Sequence, residues 1–401
     1  MSELSNSAIR NVQQAQLAYC KFVTPNDAGA TGSHQCGYLV GKKAKTILFS
    51  EPGKKGDFLD RTVKILWQDD FTTESHFKYY GQKSRNEYRI TRFGKGFPFL
   101  NDEHIGDLLV LAKFSEDYYK AYDLSTEEEI NDFLSFFNMS PAETNNLINI
   151  TNAEEENCQD NRLVEQMEIF VSQYSEFPTT AKMSEGARLC YDNAFKINES
   201  QLCKIPDQIL LKWIETEYTL FSKIEEKIYG YVLQKPFDSL KDFINTALGV
   251  LNSRKSRAGK SLEHHLSSIF KANHLIFEEQ AITEDKKKPD FLFPNSIAYH
   301  DILFPADDLI VLGAKTTCKD RWRQVLTEAN RVDIKYLFTL QQGVSSNQMK
   351  EMIDSKLQLV IPQEYRNCFP APYRSNLLNL HDFIGFVKEK QANLPKSYLI
   401  N

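Results

Sequence analysis

The sequence predicts a multidomain chain of mixed α+β and α/β class, with a β-rich N-terminal part and a C-terminal part of alternating helices and strands. Three observations carry this. Residues 1–110 break into short runs such as "YCKFVTPND", "KTILFS", "TVKILWQ", "HFKYYGQ" and "EYRITRFG", rich in β-branched and aromatic residues and punctuated by Gly, Asn, Asp and Lys. That is the pattern of an all-β barrel or sandwich. Later, "PDQILLKWIETEYTLFSKIEEKIYGYVL" keeps its apolar residues at helical spacing over several turns. Finally "PDFLFPN", "DLIVLGAK", "KYLFTL" and "KLQLVIP" read as short buried strands, with "KDRWRQVLTEANRV" helical among them. Helices alternating with buried strands give an α/β layer.

Taken in order, the β-rich part gives way after Ser115 to an acidic stretch. There "STEEE" offers Ser125 or Thr126 as a helix cap with acids in the first turn. "QYSEFPTTAKMSEGA", residues 173–187, is polar and carries Pro178 and Gly186, so it is expected to be a domain boundary. "SLKDFINTALGVLNSRK" reads as a helix, "NSRKSRAGK" as an exposed basic loop, and "SLEHHLSSIFKANH" as a further helix capped by Ser261.

Composition narrows the function. The 401 residues suit two or three domains, and 25% charged with 41% hydrophobic residues suits a soluble globular protein. The net charge of −6 does not advertise nucleic-acid binding, although local basic patches set their own fields. The polar start "MSELSNSAIRNVQQAQ" is no signal peptide, and no apolar stretch approaches the roughly 20 residues of a membrane helix. Seven scattered cysteines without a CxxC pair argue against a disulfide frame or a zinc site, and for a reducing cytoplasm.

The residues able to carry chemistry lie at strand ends. Asp290 stands at the mouth of "DFLF" and Lys315 at the end of "IVLGAK"; adjacent strands would set carboxylate and ammonium side by side. Glu328 follows on the next helix, and Glu263 precedes on "SLEHHL". Carboxylates can hold Mg²⁺, and a lysine near a metal can orient or deprotonate a water, which is equipment for phosphodiester hydrolysis. The same residues also read as a surface ion pair. Basic neighbours favour phosphate contact: Arg254, Lys255, Arg257 and Lys260 before Glu263, and Lys319, Asp320, Arg321 and Arg323 after Lys315. Arg can pair two-pronged with guanine and Asp can accept from cytosine N4, so this cluster is able to read G·C pairs. A second basic set, Lys83, Arg85, Arg89, Arg92 and Lys95 around Glu87, lies in the β-rich part. Strand alternation puts Arg85, Glu87 and Arg89 on one face. "NDAGATGSHQCGY" adds glycine-rich turn chemistry and His34.

At these residues the sequence resembles a known family. "NSRKSRAGKSLEHHL", "QAITEDKKKPDFLFP", "AYHDILFP", "KTTCKDRWRQVLTEAN" and "LFTLQQGVS" look like the C-terminal half of the EcoRII-type (type IIE) restriction endonucleases. "NDAGATGSHQCGY" and "KSRNEYRITRFGKG" look like their N-terminal half. The resemblance implies a B3-like β-pseudobarrel over 1–172 that binds an effector copy of the DNA site, a boundary at 173–190, and a PD-(D/E)XK nuclease fold over 191–401. It implies Asp290 and Glu328 as metal ligands, Lys315 as the catalytic lysine, Glu263 as a supporting carboxylate and Tyr299 as a neighbour of the active site. The acid usually found just before the lysine is replaced by Gly313, which agrees with its displacement to Glu328. Lys319, Asp320 and Arg321 would read the outer C·G pairs of a CCWGG-type site, and Tyr218 would line a pocket for flipped central bases; the family's neighbouring arginine falls on Ile214. In the N-terminal domain His34, Lys83, Arg85, Glu87 and Arg89 would meet effector DNA, with the aromatic contact at Tyr38, since the family's "GLY" is "GYL" here.

The reading is therefore a homodimeric, Mg²⁺-dependent, effector-stimulated and autoinhibited restriction endonuclease, cytoplasmic and paired with a DNA methyltransferase. Three alternatives stay open: a relative cutting a different degenerate or modified site, a catalytically silent two-headed DNA-binding regulator, and an unrelated α/β metalloenzyme.

Overall fold

The fold comes from a computed structural model, which describes residues 2–29, 36–68, 71–82, 84–149, 161–233 and 235–399. The chain forms two compact units. Unit 1 comprises residues 1–154 together with 341–351 and 367–375; unit 2 comprises 155–340, 352–366 and 376–401. The break thus lies before the expected boundary at 173–190. In that stretch Thr179 caps a helix, and a Cβ on Gly186 would meet the Phe170 ring at 2.2 Å. Residues 173–179 form a short connection between α3 and α4, and residues 180–190 are packed helix.

Unit 1 contains α1 (Glu3–Gln14), β1 (Leu17–Phe22), β2 (Tyr38–Val40), β3 (Phe58–Trp67), β4 (Thr72–Tyr80), β5 (Glu87–Thr91), β6 (Leu108–Lys113), β7 (Tyr118–Leu124), α2 (Glu127–Phe136) and β8 (Asn146–Ile148). Its strands make one sheet in the order β2-β5-β4-β3-β7-β6-β1-β8. Side-chain alternation gives the sheet two cores. Ala18, Cys20 and Phe22 pack with Val110 under α1 and α2, while Tyr19, Leu109, Val63 and Phe77 point into a second, aromatic-rich cluster. That cluster also takes Tyr38 and Val40 from the far edge strand, so the sheet curls on itself. Asn145 closes the curl: its Oδ1 accepts from Gly41 N at 2.9 Å, beyond β2, and from Tyr19 Oη, on β1. Thr126, not Ser125, caps α2, with Glu129 completing a reciprocal capping box. Half-buried His104 Nδ1 lies 2.8 Å from Asp107 and 2.6 Å from Asp123, both buried, a hydrogen-bonded cluster that pins the turn before β6 to the end of β7.

The C-terminal segments of unit 1 fit closely. Fully buried Gln341 donates to Gly106 O at 2.8 Å, and a Cβ on Gly106 (φ +90°) would lie 2.4 Å from Gly343 O.

Unit 2 begins with helices α3 (Asn161–Ser172), α4 (Thr180–Phe195), α5 (Glu199–Lys204), α6 (Pro206–Leu233) and α7 (Leu240–Ala272). Met167, Met183, Ala187, Leu220 and Ile224 form the core of this helical layer. β9 (Glu278–Glu279), β10 (Phe291–Phe293), α8 (Ser296–His300), β11 (Ile310–Lys315), α9 (Trp322–Leu326), β12 (Lys335–Thr339), α10 (Ser346–Asp354), β13 (Leu357–Val360) and α11 (Leu380–Ala392) follow, with α10 running across the two units. The strands pair in the order β13-β12-β11-β10-β9, with β11, β12 and β13 parallel and β10 antiparallel to β11. Every strand expected beyond Pro289 is present. The expected basic loop at 252–260 is not: α7 runs unbroken through it, so Ser261 is a buried mid-helix residue and not a cap.

Candidate active site

β10 and β11 pair with Phe291 opposite Leu312, which brings the residue before β10 against the end of β11. Asp290 Oδ2 accepts from Lys315 Nζ at 2.9 Å and from Ala314 N at 2.8 Å. Its other oxygen accepts from Gln280 Nε2 at 3.0 Å. The Gln280 amide also reaches Glu263 Oε2 on α7 at 3.4 Å, and Lys260 Nζ lies 2.8 Å from the same carboxylate oxygen. Asp290 is 7% exposed.

Along β11, residues 311, 313 and 315 face the same side. Val311 packs with Ala329 there, so this side receives the end of α9. A Cβ on Gly313 would sit 2.8 Å from Val325 Cγ2, which leaves no room at 313 for an acidic side chain. The helix can lie this close only over glycine, and the stretch just past its end at Leu326 brings Glu328, expected on the helix itself, to the lysine side of the strand. Glu328 Oε2 is buried without a hydrogen-bond partner. Burial, and then the neighbouring Asp290 charge, push the Glu328 carboxyl up to about 7. Glu263 is also raised, chiefly by burial, with Asp290 adding to it. Three carboxyl groups, Asp290, Glu328 and Glu263, thus gather here, and one Glu328 oxygen is left without a donor. A hard divalent cation with oxygen ligands fits such a set, and Asp290 with Glu328 would hold it.

Lys319 is almost fully buried, and that burial pushes its ammonium down to about 8. Asp320, Arg321 and Arg323 are exposed at the start of α9, with the Arg323 guanidinium 4.5 Å from the Trp322 ring centre. Burying a charged lysine costs stability below pH 8. As pH rises from 8 to 10.5 the native lysine is neutral while the unfolded one still binds a proton, so wild-type stability rises. Lys319→Met should therefore melt a few degrees higher than wild type at pH 7, with the difference shrinking toward pH 10. Calorimetric melting across that range checks this.

Three of the residues expected on target DNA are engaged within unit 2. Arg254 makes a two-pronged pair with Glu225 of α6 (2.8 and 2.5 Å). Arg257 is 2% exposed and stacks 3.7 Å above the ring of Tyr218, itself buried. Ile214 is buried as well. The physical reason is the continuous α7, which turns both arginines onto α6 where a loop would have left them in solvent. Tyr299, expected beside the active site, donates to Glu284 at 2.7 Å.

In unit 1, Glu87 and Arg89 share a face of β5, while Arg85 precedes the strand; Glu87 lies 3.9 Å from Arg85 and 3.4 Å from Arg89. Arg85 is exposed but Arg89 is buried, its guanidinium reaching Gly37 O at 3.4 Å. Arg92 is exposed in a left-handed conformation (φ 61°), beside His76. Tyr38 corrects the expectation: it is fully buried among Trp67 and Phe93 and donates to Phe99 O at 3.0 Å, so it is a core residue. His34 and Lys83 lie outside the described residues. Nearby, Asp27 is buried and accepts from Lys21 Nζ (2.6 Å), Thr24 N (2.9 Å) and Leu39 N (2.7 Å), fixing the start of the glycine-rich turn.

Gln280, Glu284 and Lys287 were not singled out by sequence. Nothing local marks them within a polar stretch, and their partners, Asp290 and Glu263 for Gln280, Tyr299 and Asn330 for Glu284 and Thr327 for Lys287, are distant in sequence.

Comparison with known proteins matches two family models in sequence order, the C-terminal one running through residues 341–351 and 367–375 of unit 1. The family model for the EcoRII C terminal matches residues 221–384, and that for the N-terminal part of restriction endonuclease EcoRII matches residues 12–134. The type II restriction enzyme EcoRII of Escherichia coli is 33% identical over 418 residues, covering 98% of this chain and 100% of that enzyme. The type II restriction enzyme SsoII of Shigella sonnei is 25% identical over 172 residues, 38% of this chain and 55% of its own length. A solved structure of metal-depleted Ecl18kI in complex with uncleaved, modified DNA is 21% identical, covering 58% of this chain and 87% of that one, at a TM-score of 0.47.

Proposed function

The chain belongs to the EcoRII family of type II restriction endonucleases, and from that premise we propose that Asp290, Lys315 and Glu328 cut double-stranded DNA at a short CCWGG-type site, under control of a second site copy held by unit 1. The fold is the family's, a B3-like pseudobarrel with a PD-(D/E)XK nuclease domain, and the activity is DNA hydrolysis. The observation that carries the assignment of the residues is the 2.9 Å contact between Lys315 and Asp290, with the unpartnered Glu328 oxygen on the same side of β11.

Mg²⁺, held by Asp290 and Glu328, would neutralise the scissile phosphate and lower the pKa of the attacking water. Lys315 sits between its carboxylate partner and solvent, 20% exposed at the side chain, so the ammonium can turn from Asp290 toward a phosphate oxygen and orient the water. Gln280 holds Asp290 and Glu263 in fixed relation while this happens. Arg321, exposed at the start of α9, would take guanine two-pronged, with Asp320 accepting from cytosine. Lys319 would reach the same base pairs only by leaving its buried position.

A palindromic site calls for two copies of the chain, so the working form is a homodimer. Host DNA carrying the same site needs protection, which a partner DNA methyltransferase would give. Among the described residues no helix is long and apolar enough to cross a membrane.

The specificity is tested by digesting a plasmid that carries CCWGG, CCSGG and CCGG sites with Mg²⁺ present. Fragments ending at CCWGG alone support the reading; equal cutting at CCSGG places the chain with a broader specificity. For the effector head, Arg85→Ala should abolish stimulation of single-site cleavage by an added effector duplex. Basal cleavage should stay within about twofold, because Arg85 is an exposed side chain away from any core. Stimulation unchanged in that variant would remove Arg85 from effector contact.

A further inference from the structure

We infer that Glu284 is a positioning residue that fixes the separation of the Asp290 and Glu328 carboxylates, acting through the turn Thr283–Lys287; this rests on the reading of those two residues as metal ligands. Glu328 lies where α9 has ended, in a stretch that no regular structure holds. The next residue, Ala329, is fully buried in a left-handed conformation (φ 53°). One short turn grips this stretch on both sides of Glu328. Lys287 Nζ donates to Thr327 O at 2.8 Å, and Asn330 N donates to Glu284 Oε2 at 3.1 Å. The turn is closed on itself by Thr283 N to Lys287 O (2.9 Å) and Lys287 N to Glu284 O (3.1 Å).

The turn leads within three residues to Asp290, so the peptide that carries one carboxylate also sets the place of the other. Glu284 is in turn fixed by Tyr299 Oη, 2.7 and 2.5 Å from its two oxygens. Arg331 N lies 3.4 Å from that hydroxyl. The Arg331 guanidinium donates to the carbonyls of Tyr299, Asp301 (2.9 Å) and Phe304 (2.7 Å), which locks the far side of the same stretch. Among the described residues no hydrogen bond joins these groups to Lys315 or to the Asp290 and Glu328 carboxylates, and Lys287 acts on the Glu328 carboxyl only through its charge. Their effect on chemistry runs through where Glu328 stands.

Outer partners of metal ligands are worth about 10- to 100-fold in metal affinity. The test uses the full chain with a CCWGG duplex and Ca²⁺ as a non-hydrolytic probe, read by calorimetry, beside Mg²⁺ titration of cleavage. Glu284→Ala should raise the Ca²⁺ dissociation constant and the half-saturating Mg²⁺ by about tenfold or more, while saturating Mg²⁺ restores most of the maximal rate. Glu284→Gln, which keeps an acceptor for Asn330 N–H, should move both by less. Tyr299→Phe should shift them in the same direction and add little in the Glu284→Ala background, since the two act as one unit; it carries the test alone where Glu284→Ala fails to fold. Wild-type Ca²⁺ affinity in Glu284→Ala or Tyr299→Phe, with affinity lost in Glu328→Gln, overturns the positioning role and leaves the ligand assignment standing. Wild-type Ca²⁺ affinity in Glu328→Gln overturns both.

Discussion

Lys315→Ala is expected to bind its DNA site with near wild-type affinity and to cut it slower by about three powers of ten, the scale of losing a positioned proton-transfer group. The separation of effects follows from place. Lys315 ends β11 and donates to Asp290, whereas Asp320 and Arg321, proposed to read bases, stand exposed at the start of the following helix. The fold should survive, because Asp290 keeps the Ala314 amide and the Gln280 side chain as donors once the ammonium is gone. An unpaired buried carboxylate would otherwise be the main danger of such a change. Gel-shift binding without metal and single-turnover cleavage with Mg²⁺ on the same duplex check the two halves. Parallel loss of binding and cleavage would mean that Lys315 holds DNA and does not act on it.

Glu328→Gln should show the opposite signs in stability and activity. The carboxyl is pushed up to about 7 by burial and by Asp290, so its charged form is costly in the folded state. Its contribution to stability is therefore fully present below about pH 4.5, is lost as pH rises toward 7, and is absent above it. Glutamine removes that cost, so the variant should melt at or above the wild-type temperature at pH 8 without divalent metal. With metal the order reverses. Wild type gains stability from the cation by mass action, while the variant, short of one ligand, gains little. Cleavage should fall by about two to three powers of ten, since each 1.36 kcal/mol of lost stabilisation is tenfold. Melting curves at pH 8 with and without Ca²⁺ separate a lost ligand from a damaged fold; a variant stabilised by Ca²⁺ as much as wild type would take Glu328 out of the metal site.

The nuclease elements were legible because their signals are local. "DFLF" and "IVLGAK" are buried strands with one charged residue at each end that meets the site, and strand pairing alone sets Asp290 against Lys315. Gly313 was legible as a missing acid, though its reason, the approach of Val325, needed the helix in place. The basic stretch 252–260 misled. Lys, Arg, Ser, Ala and Gly without an apolar stripe suit a loop, but all except Gly also suit a helix interior, and α7 on either side carried the helix through. Arg254 and Arg257 then became packing partners of α6, a use of arginine that charge patterning does not separate from phosphate contact.

Tyr38 and Arg89 show the same limit in the β-rich unit. Alternation gives the face of a strand, but not whether that face meets solvent or the curled sheet's interior. The division of the chain was the least legible feature. Residues 341–351 and 367–375 belong with the N-terminal residues, held by contacts such as Gln341 to Gly106, and nothing local marks them. A fragment starting near Phe177 would therefore strip these segments of their partners, and would also remove α3 with its buried Met167. A start before Asn161 keeps α3 but still leaves 341–351 and 367–375 without their partners, so the nuclease reading is tested on the full chain.

The central claim is that DNA is cut where Asp290, Lys315 and Glu328 meet. The most direct measurement is single-turnover cleavage of one CCWGG duplex by wild type and Asp290→Asn across a Mg²⁺ series from none to saturation. The account predicts that wild type cuts both strands within the site only when Mg²⁺ is present, and that Asp290→Asn leaves the duplex intact at every Mg²⁺ concentration while still binding it. Cutting by Asp290→Asn at the wild-type rate and at the same bond would contradict the account.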